Sequence, residues 1–387
     1  NLESQISAIQ KRYCANLSYT GVCMFFLPTR IVFGDNALEL ASKHIAALGS
    51  NALIVCGKTS ATLSGAMDDL LPMLHKLNIS SHILDTIPEN PDLECIVIGK
   101  EMLQETGSNF VIAIGGGSPL DAAKAISLAA ANNLDINQLY STELMHKRVP
   151  IVCIPTTHGT GSEVTQYSVL TNRQTKRKAG FGVGTAFPDI AVLDPKYTLS
   201  LPPRITMNTS LDALSHLLEG IYSKQRNLFL TPLIKKGIAN VLHNLPLCLK
   251  EPQHIPSRAA LIEASLYGGM VIAHSSTTLQ HSIGYPLTSE FAIPHGLANG
   301  IVMKQIMELY YHDISDLIDS LFNSLNMTKC QFYDWLEQFP LDVQIPISDQ
   351  MIEDKIPEIQ SARNTALSPT IPSDEDIRSI LKTLQAH

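Results

Sequence analysis

Phe110-Val-Ile-Ala-Ile-Gly-Gly-Gly-Ser-Pro-Leu-Asp-Ala-Ala-Lys124 runs from an apolar segment, through three glycines, into a helix-like segment. Phe110–Ile114 shows no alternation of apolar and polar residues. It therefore fits a strand buried on both faces, as in a parallel sheet covered by helices. A plain strand-to-helix turn is satisfied by one glycine. Gly115, Gly116 and Gly117 followed by Ser118 let a pyrophosphate come close to the backbone, at a helix N-terminus whose N–H groups and partial positive charge suit an anion. The order is not G-x-G-x-x-G, so the ordinary Rossmann fingerprint is not implied.

The same alternation extends outward. Ala52–Cys56, Val149–Ile154 and Asp189–Leu193 are further apolar runs bounded by Gly, Pro or Asp, and Ser60–Leu77 and Leu120–Ala131 fit crossover helices. After Leu201-Pro202-Pro203 the periodicity is helical and no strand run stands out. The expected architecture is an α/β N-terminal dinucleotide-binding domain with a mostly parallel sheet, residues 1–201, and an all-α C-terminal metal-binding domain, residues 202–387. The Pro-, Ser- and Asp-rich stretch Ile345–Pro372 reads as loops before a last helix, Asp374–Leu384. A ligand is expected in a cleft between the two domains.

Two further groups of residues carry chemistry. Pro155-Thr156-Thr157-His158-Gly159-Thr160-Gly161-Ser162-Glu163 follows a strand and offers hydroxyls and N–H groups to a nucleotide. Asp212 and His216 stand four apart, one turn of one helix face, and His281 and His295 follow further along. One carboxylate and three imidazoles make a complete set for a divalent first-row metal, and such an N₃O set suits Fe²⁺ or Zn²⁺.

Composition narrows the partners. The 387 residues carry 28 Lys and Arg against 36 Asp and Glu, a net charge of −8, which gives neither nucleic acid nor an acidic membrane an attractive field. Lys176-Arg177-Lys178 is the one tight basic cluster. Seven cysteines from Cys14 to Cys330 form no CxxC and no close pairs; Cys56 and Cys153 read as small core residues. No apolar stretch reaches bilayer length and no signal peptide is apparent, although a chain without an initiator Met suggests a processed or trimmed start; a reducing cytoplasm is expected.

Together these motifs resemble the iron-containing (group III) alcohol dehydrogenase family. The matching stretches are Leu27–Gly34, Gly115–Lys124, Pro155–Thr165, Asp194-Pro195, Ser200–Pro203, Leu211–His216 and Ile293–Asn299, in the family's order over roughly residues 25 to 305. The resemblance implies interconversion of an alcohol and an aldehyde or ketone by hydride transfer with NAD(P). It implies metal ligands at Asp212, His216, His281 and His295. It further implies cofactor contacts at Gly115, Gly116, Gly117, Ser118 and Asp121, at Thr156, Thr157 and Thr160, and a ribose-side lysine at Lys178. Iron is the family's habit, with Zn²⁺ as the alternative. A small-molecule alcohol or aldehyde is the expected partner, and a homo-oligomer is admitted.

Two positions depart from the family's pattern. Tyr285 stands where members often carry a His four residues after the third ligand, and is the expected proton relay. His158 stands where Ala is usual and is expected to alter the cleft near the cofactor. His274 matches no ligand and reads as a packed helix residue. NAD-preferring relatives carry an acidic residue after the first strand. Here Gly57-Lys58-Thr59-Ser60 leaves space and supplies charge and hydroxyls, so NADP is expected, with NAD as the alternative. Neighbouring readings are a glycerol-dehydrogenase-like polyol enzyme, which usually has Lys where this chain has Ser118, a dehydroquinate-synthase-like lyase, and an inactive scaffold of the same fold.

Overall fold

The structure, a computed structural model, describes residues 24–174 and 177–386. Its strands are β1 (Arg30–Phe33), β2 (Asn51–Cys56), β3 (Ser80–Leu84), β4 (Phe110–Gly115), β5 (Ile151–Pro155), β6 (Tyr167–Asn172), β7 (Arg177–Gly182) and β8 (Ile190–Leu193). Six of them form one sheet in the order β1-β8-β5-β4-β2-β3, parallel throughout. From β2 the chain winds outward to β3, and from β4 it winds the other way to β5 and β8. The reversal leaves a crevice between the carboxyl ends of β2 and β4, the place where open α/β sheets bind ligands. The register Cys56↔Ile114 and Gly115↔Pro155 sets the turns after β2, β4 and β5 side by side along that edge.

The helices α1 (Ala37–Ala46), α2 (Ser60–Leu63), α3 (Ala66–Lys76), α4 (Leu93–Glu105) and α5 (Gly117–Ala131) accompany the sheet. Beneath them lie two apolar layers, one on each face. Strands β4, β5 and β8 are buried at every residue, which explains their unbroken apolar runs. Helix α5 is buried from Pro119 to Ala129 except at Asp121, so it too is apolar on nearly all sides.

From Pro203 onward the described residues form helices: α6 (Pro203–Tyr222), α7 (Thr231–Lys250), α8 (Ile255–Ser275), α9 (Leu279–Phe291), α10 (His295–Ile301), α11 (Met303–Ser324), α12 (Lys329–Leu336), α13 (Asp349–Ser361) and α14 (Asp374–Lys382). Helix α6 is their axis, buried almost continuously from Thr206 to Tyr222 and packed by α7, α8 and α10. Any polar side chain it carries there must find a partner. Val164, Ala191 and Leu193 meet Ile262 and Leu266 where the two halves join. No helix among the described residues is long and apolar enough to cross a membrane.

Several expectations need correction. Ser60–Leu77 is two helices, broken at Gly65, whose φ of +78° no helix accommodates. Helix α5 begins at Gly117, three residues before Leu120. Ile345–Pro372 is not all loop: α13 lies within it, capped by Ser348 and anchored by buried Ile352, Ile356 and Ile359. Four strands went unread. Edge strands β1 and β3 are mostly exposed or half-buried and lack a full apolar run, and β6 and β7 pair as an antiparallel hairpin outside the main sheet. Cys56 and Cys153 are buried as expected, and the five cysteines from Cys56 onward are free; Cys14 and Cys23 lie outside the described residues.

Candidate active site

The turn after β4 is shaped by its glycines. Gly115 has φ +147°, and a Cβ there would meet the Pro119 ring at 2.7 Å. The Thr156 N–H donates to the Gly115 carbonyl at 2.9 Å, stitching the turns after β4 and β5 together. A Cβ on Gly116 would stand 3.2 Å from the Thr157 methyl and one on Gly117 2.8 Å from the Thr160 methyl, so the hydroxyl-rich turn lies directly against the glycine turn. Ser118 Oγ accepts from the Asn90 N–H at 3.2 Å. Helix α5 then starts with its N-terminus open to the cleft, the geometry that favours a phosphate.

Asp121 braces this region. Its carboxylate accepts from Ser162 Oγ at 2.5 Å and from the Val169 N–H at 3.0 Å. Fully buried Lys124 donates to the same Ser162 hydroxyl at 2.7 Å and to the Tyr167 carbonyl at 2.8 Å. Lys178, on β7, reaches Asn90 Oδ1 at 2.7 Å. Burial lowers its pKa, against the pull of Asp121, Asp212 and Glu89. Of the basic cluster, Lys176 lies outside the described residues and Lys178 turns into the cleft.

Asp212 and His216 project from buried α6, His281 from α9, and His295 opens α10. The three Nε2 atoms gather round one oxygen: Asp212 Oδ1 is 3.9 Å from His216, 3.8 Å from His281 and 3.9 Å from His295. His216 Nε2 and His281 Nε2 are 3.1 Å apart. Four ligands about 2.1 Å from a tetrahedral metal lie roughly 3.4 Å from one another. The ligand atoms of Asp212, His216 and His281 all lie within 4.8 Å of one another and suit a divalent site, while His295 falls outside that group and approaches it through the Asp212 oxygen. Gly296 makes the fourth donor's place available: a Cβ there would stand 1.8 Å from the Asn208 carbonyl oxygen, so only glycine lets α10 start this close to α6.

Burial lowers the pKa of His216 and of His295 in spite of Asp212. Burial also presses the Asp212 carboxyl toward its neutral form, but the three imidazoles and the Asn299 amide outweigh it and hold the group below the usual range. His281 behaves differently. Burial favours its neutral form, yet Glu219 raises its pKa.

Glu219 and Asn299 are the residues that sequence reasoning missed. Glu219 is fully buried on α6 and makes a short contact with His281 Nδ1. Its other oxygen accepts from Thr278 N–H at 2.6 Å and Thr278 Oγ1 at 2.9 Å. A carboxylate on Nδ1 fixes the ring and aims Nε2 at the cluster. Asn299 Nδ2 lies 3.0 Å from Asp212 Oδ1 and 3.1 Å from His281 Nε2. Their signal was spacing: Glu219 is seven residues after Asp212 and Asn299 four after His295, each on the ligand-bearing face of its helix.

A cleft of about 360 Å³ joins the two centres. Gly117, Ser118, Asp121, Thr160 and Lys178 line it together with Tyr285 and all four candidate metal ligands. Gly115, Gly116, Thr156 and Thr157 stand behind its wall. Gly57–Ser60 is also outside the wall, at the end of β2 on the far side of the crevice. The Tyr285 ring stacks on His295, 5.3 Å between centroids and 7° from parallel, and meets His281 edge-on. His274 packs as expected, with Nδ1 on the Met270 carbonyl and its ring stacked on Phe25. The expectation for His158 is overturned: its ring is fully buried among α6 and α8 and forms no part of the cleft wall.

Comparison with known proteins agrees with this geometry. Residues 28–195 match the family model described as iron-containing alcohol dehydrogenase, and residues 206–384 the model for the C-terminal region of the same family. Alcohol dehydrogenase 4 of Saccharomyces cerevisiae is 29% identical over 75% of this chain and 76% of its own length. A 1-propanol dehydrogenase of Citrobacter freundii is 32% identical over 75% of this chain and 74% of its own. The crystal structure of an iron-containing alcohol dehydrogenase from Thermotoga maritima superposes with a TM-score of 0.88 at 34% identity, covering 94% of this chain and 99% of that one. A phosphate-shaped turn and an N₃O cluster on one cleft, in a fold matched along nearly its whole length, have one reading: the chain belongs to the iron-containing alcohol dehydrogenase family, oxidoreductases of alcohols and aldehydes.

Proposed function

We propose that this chain is an NADP(H)-preferring alcohol dehydrogenase that holds one Fe²⁺ on Asp212, His216, His281 and His295. Residues 1–201 serve the dinucleotide and residues 202–387 the metal. The observation that carries this reading is the convergence of three imidazole Nε2 atoms on one Asp212 oxygen, in the same cleft as the N-terminus of α5. When bound, the cation supplies Lewis acidity to an alcohol or carbonyl oxygen, and the nicotinamide supplies the hydride carrier.

The chain's own residues do the placing. Gly117 and Ser118 offer N–H groups to the pyrophosphate, helped by the partial charge of the helix. Thr160 faces the same phosphates, with Thr156 and Thr157 supporting the glycine turn from behind, and Asp121 and Lys178 hold the nicotinamide side between the glycine turn and the metal cluster. Gly57, Lys58, Thr59 and Ser60 receive the adenosine ribose and its 2′-phosphate. Tyr285 Oη keeps its proton through neutral pH, because burial and the Glu219 and Asp212 carboxylates raise its pKa. It therefore moves a proton as a hydrogen-bonding relay, accepting as it donates.

The substrate is a small primary alcohol or the matching aldehyde. The test is a screen of Fe²⁺ and Zn²⁺ against NADP⁺ and NAD⁺, with alcohols from ethanol to butanol and 1,3-propanediol, read as nicotinamide reduction. His281→Ala should lose metal and turnover together while its circular dichroism is retained. Wild-type metal content and turnover in that variant would sink the ligand assignment.

A further inference from the structure

The loop Thr156–Gly161 separates the two halves, and its residues divide between them. Thr157 and Thr160 face Gly116 and Gly117 of the phosphate turn. His158, Gly159 and Gly161 face the helical half. A Cβ on Gly159 would stand 2.7 Å from the Thr209 carbonyl oxygen, and one on Gly161, at φ +59°, 2.4 Å from Gly269 Cα. Backbone thus lies on backbone against both α6 and α8, and His158 is the one long side chain in this contact.

Its partner is unusual. Arg258, in the first turn of α8, is fully buried, and among the described residues it has no carboxylate in ion-pair range. Its acceptors come from the α7–α8 turn, the linker, α6 and the loop. Nε donates to the Pro252 carbonyl at 3.0 Å, Nη2 to the Leu201 carbonyl at 3.4 Å, and Nη1 both to Thr206 Oγ1 at 2.8 Å and to His158 Nε2 at 3.2 Å. Burial and the guanidinium hold His158 neutral, so Nε2 is an acceptor and Nδ1 carries a proton for Thr209 Oγ1 or Ser210 Oγ, 3.3 and 3.4 Å away. Leu201 lies in the linker between halves, and Thr206, Thr209 and Ser210 lie on α6 just before Asp212.

We propose that His158 and Arg258 form a positioning pin across the domain joint, fixing α6, and the ligands it carries, relative to the phosphate turn. Neither residue touches substrate, cofactor or metal. The pin acts through Thr157 and Thr160 on one side and through the first turns of α6 on the other. In a relative with Ala at position 158 this guanidinium would lack an acceptor, so His158 and Arg258 work as a pair. The kinetic part of this inference rests on the dehydrogenase reading; the mechanical part does not.

The test compares full-length wild type, His158→Ala and His158→Gln by amide hydrogen exchange, metal affinity and steady-state kinetics. In His158→Ala, exchange in residues 199–210 should quicken at least tenfold relative to β4. Its kcat should fall fivefold or more, while Zn²⁺ affinity and the KM for alcohol stay within twofold. In His158→Gln the Oε1 acceptor should restore most of both losses. Unchanged exchange at the joint in the Ala variant would overturn the proposal, as would a kcat loss that Gln leaves untouched. If the Ala variant does not fold, Thr206→Val, which removes one Arg258 acceptor, should quicken the same segment, and wild-type exchange there refutes the pin. Exchange is read without substrate, so a wild type inactive on alcohols would refute the dehydrogenase reading and leave the joint to be judged on exchange alone.

Discussion

Glu219→Gln should weaken metal binding although Glu219 is not in the ligand set. The carboxylate now uses both oxygens, one on Thr278 N–H and Oγ1 and the other on His281 Nδ1. With Nδ1–H donated to Glu219, the lone pair of His281 sits on Nε2 and points at Asp212. Glutamine matches this shape but has a single acceptor. If its oxygen stays with Thr278, the amide NH₂ faces Nδ1 and demands the opposite tautomer, which puts a proton on Nε2 where the metal needs a lone pair. If the amide turns round, NH₂ meets the Thr278 N–H, a donor against a donor in a buried site. Either arrangement loses a charge-assisted hydrogen bond, worth about 1.5–3 kcal/mol. Losses behind a ligating histidine typically lower metal affinity about 10–100-fold. The assay is chelator competition for Zn²⁺ or Co²⁺ under reducing conditions, with circular dichroism to confirm the fold. A dissociation constant within twofold of wild type would show that Glu219 does not set the tautomer of His281.

Three other substitutions probe separate parts of the site. Gly57→Asp should fold normally, since a Cβ there finds its nearest atoms at 3.5 Å. Its carboxylate should repel a 2′-phosphate and lower kcat/KM for NADP by about tenfold or more relative to NAD; an unchanged ratio, or a wild type that prefers NAD, removes this turn from cofactor choice. Tyr285→Phe keeps the ring that stacks on His295, so metal content and melting temperature should hold while turnover falls on the order of 10²-fold and its pH profile changes; an unchanged profile and rate return Tyr285 to packing alone. Glu163 is buried and its pKa is pushed up to about 7, mainly by desolvation. The native state therefore holds this proton after the unfolded chain has released it, and stability falls as pH rises from about 4.5 to 7, by about 3 kcal/mol at most. Glu163→Gln should accordingly gain stability relative to wild type at pH 8 over pH 4.5 in urea titrations, and a pH-independent difference would contradict the shift.

What was legible in the sequence follows burial and locality. The β4–turn–α5 unit could be read because every residue of β4 is buried and its glycines answer to contacts within a few residues or with the adjacent turn. Edge strand β3, Ser80-Ser-His-Ile-Leu84, is paired on one side only and needs no apolar run, so periodicity passes over it. Helix α13 was legible after all: Ile352, Ile356 and Ile359 have helical spacing, and the Pro- and Ser-rich composition around them obscured it. The four proposed ligands were recognisable by residue type. Glu219 and Asn299 act on the ligands themselves, and the pairing that gives them meaning spans 62 residues in one case and 87 in the other. His158 shows the opposite failure. Its place in a loop motif suggested the cofactor, whereas its side chain turns toward α8.

A polar pin suits this joint better than more apolar packing would. Hydride transfer needs reacting atoms about 3–3.5 Å apart, and a misplacement near 1 Å can cost on the order of 10²-fold in rate. By this reading the cofactor rests on one half and the metal on the other, so the angle between halves becomes a distance at the reacting centre. Thr206 and Asp212 lie six residues apart on α6, roughly 9 Å along the helix. A swing of about 5° over that lever moves Asp212 by roughly 0.8 Å, before any longer arm to His216 is counted. Apolar contacts between Leu193 and Leu266 bury area but resist such a swing weakly, because the hydrophobic effect is non-directional. Hydrogen bonds weaken steeply once donor and acceptor fall out of line. A guanidinium has a rigid planar fork, and Arg258 engages four separate anchors with it, so no single rotation of α6 keeps all of them aligned. The buried charge costs solvation and gains no ion pair. Its neutral acceptors offset part of that cost, and what the fold obtains is a defined angle.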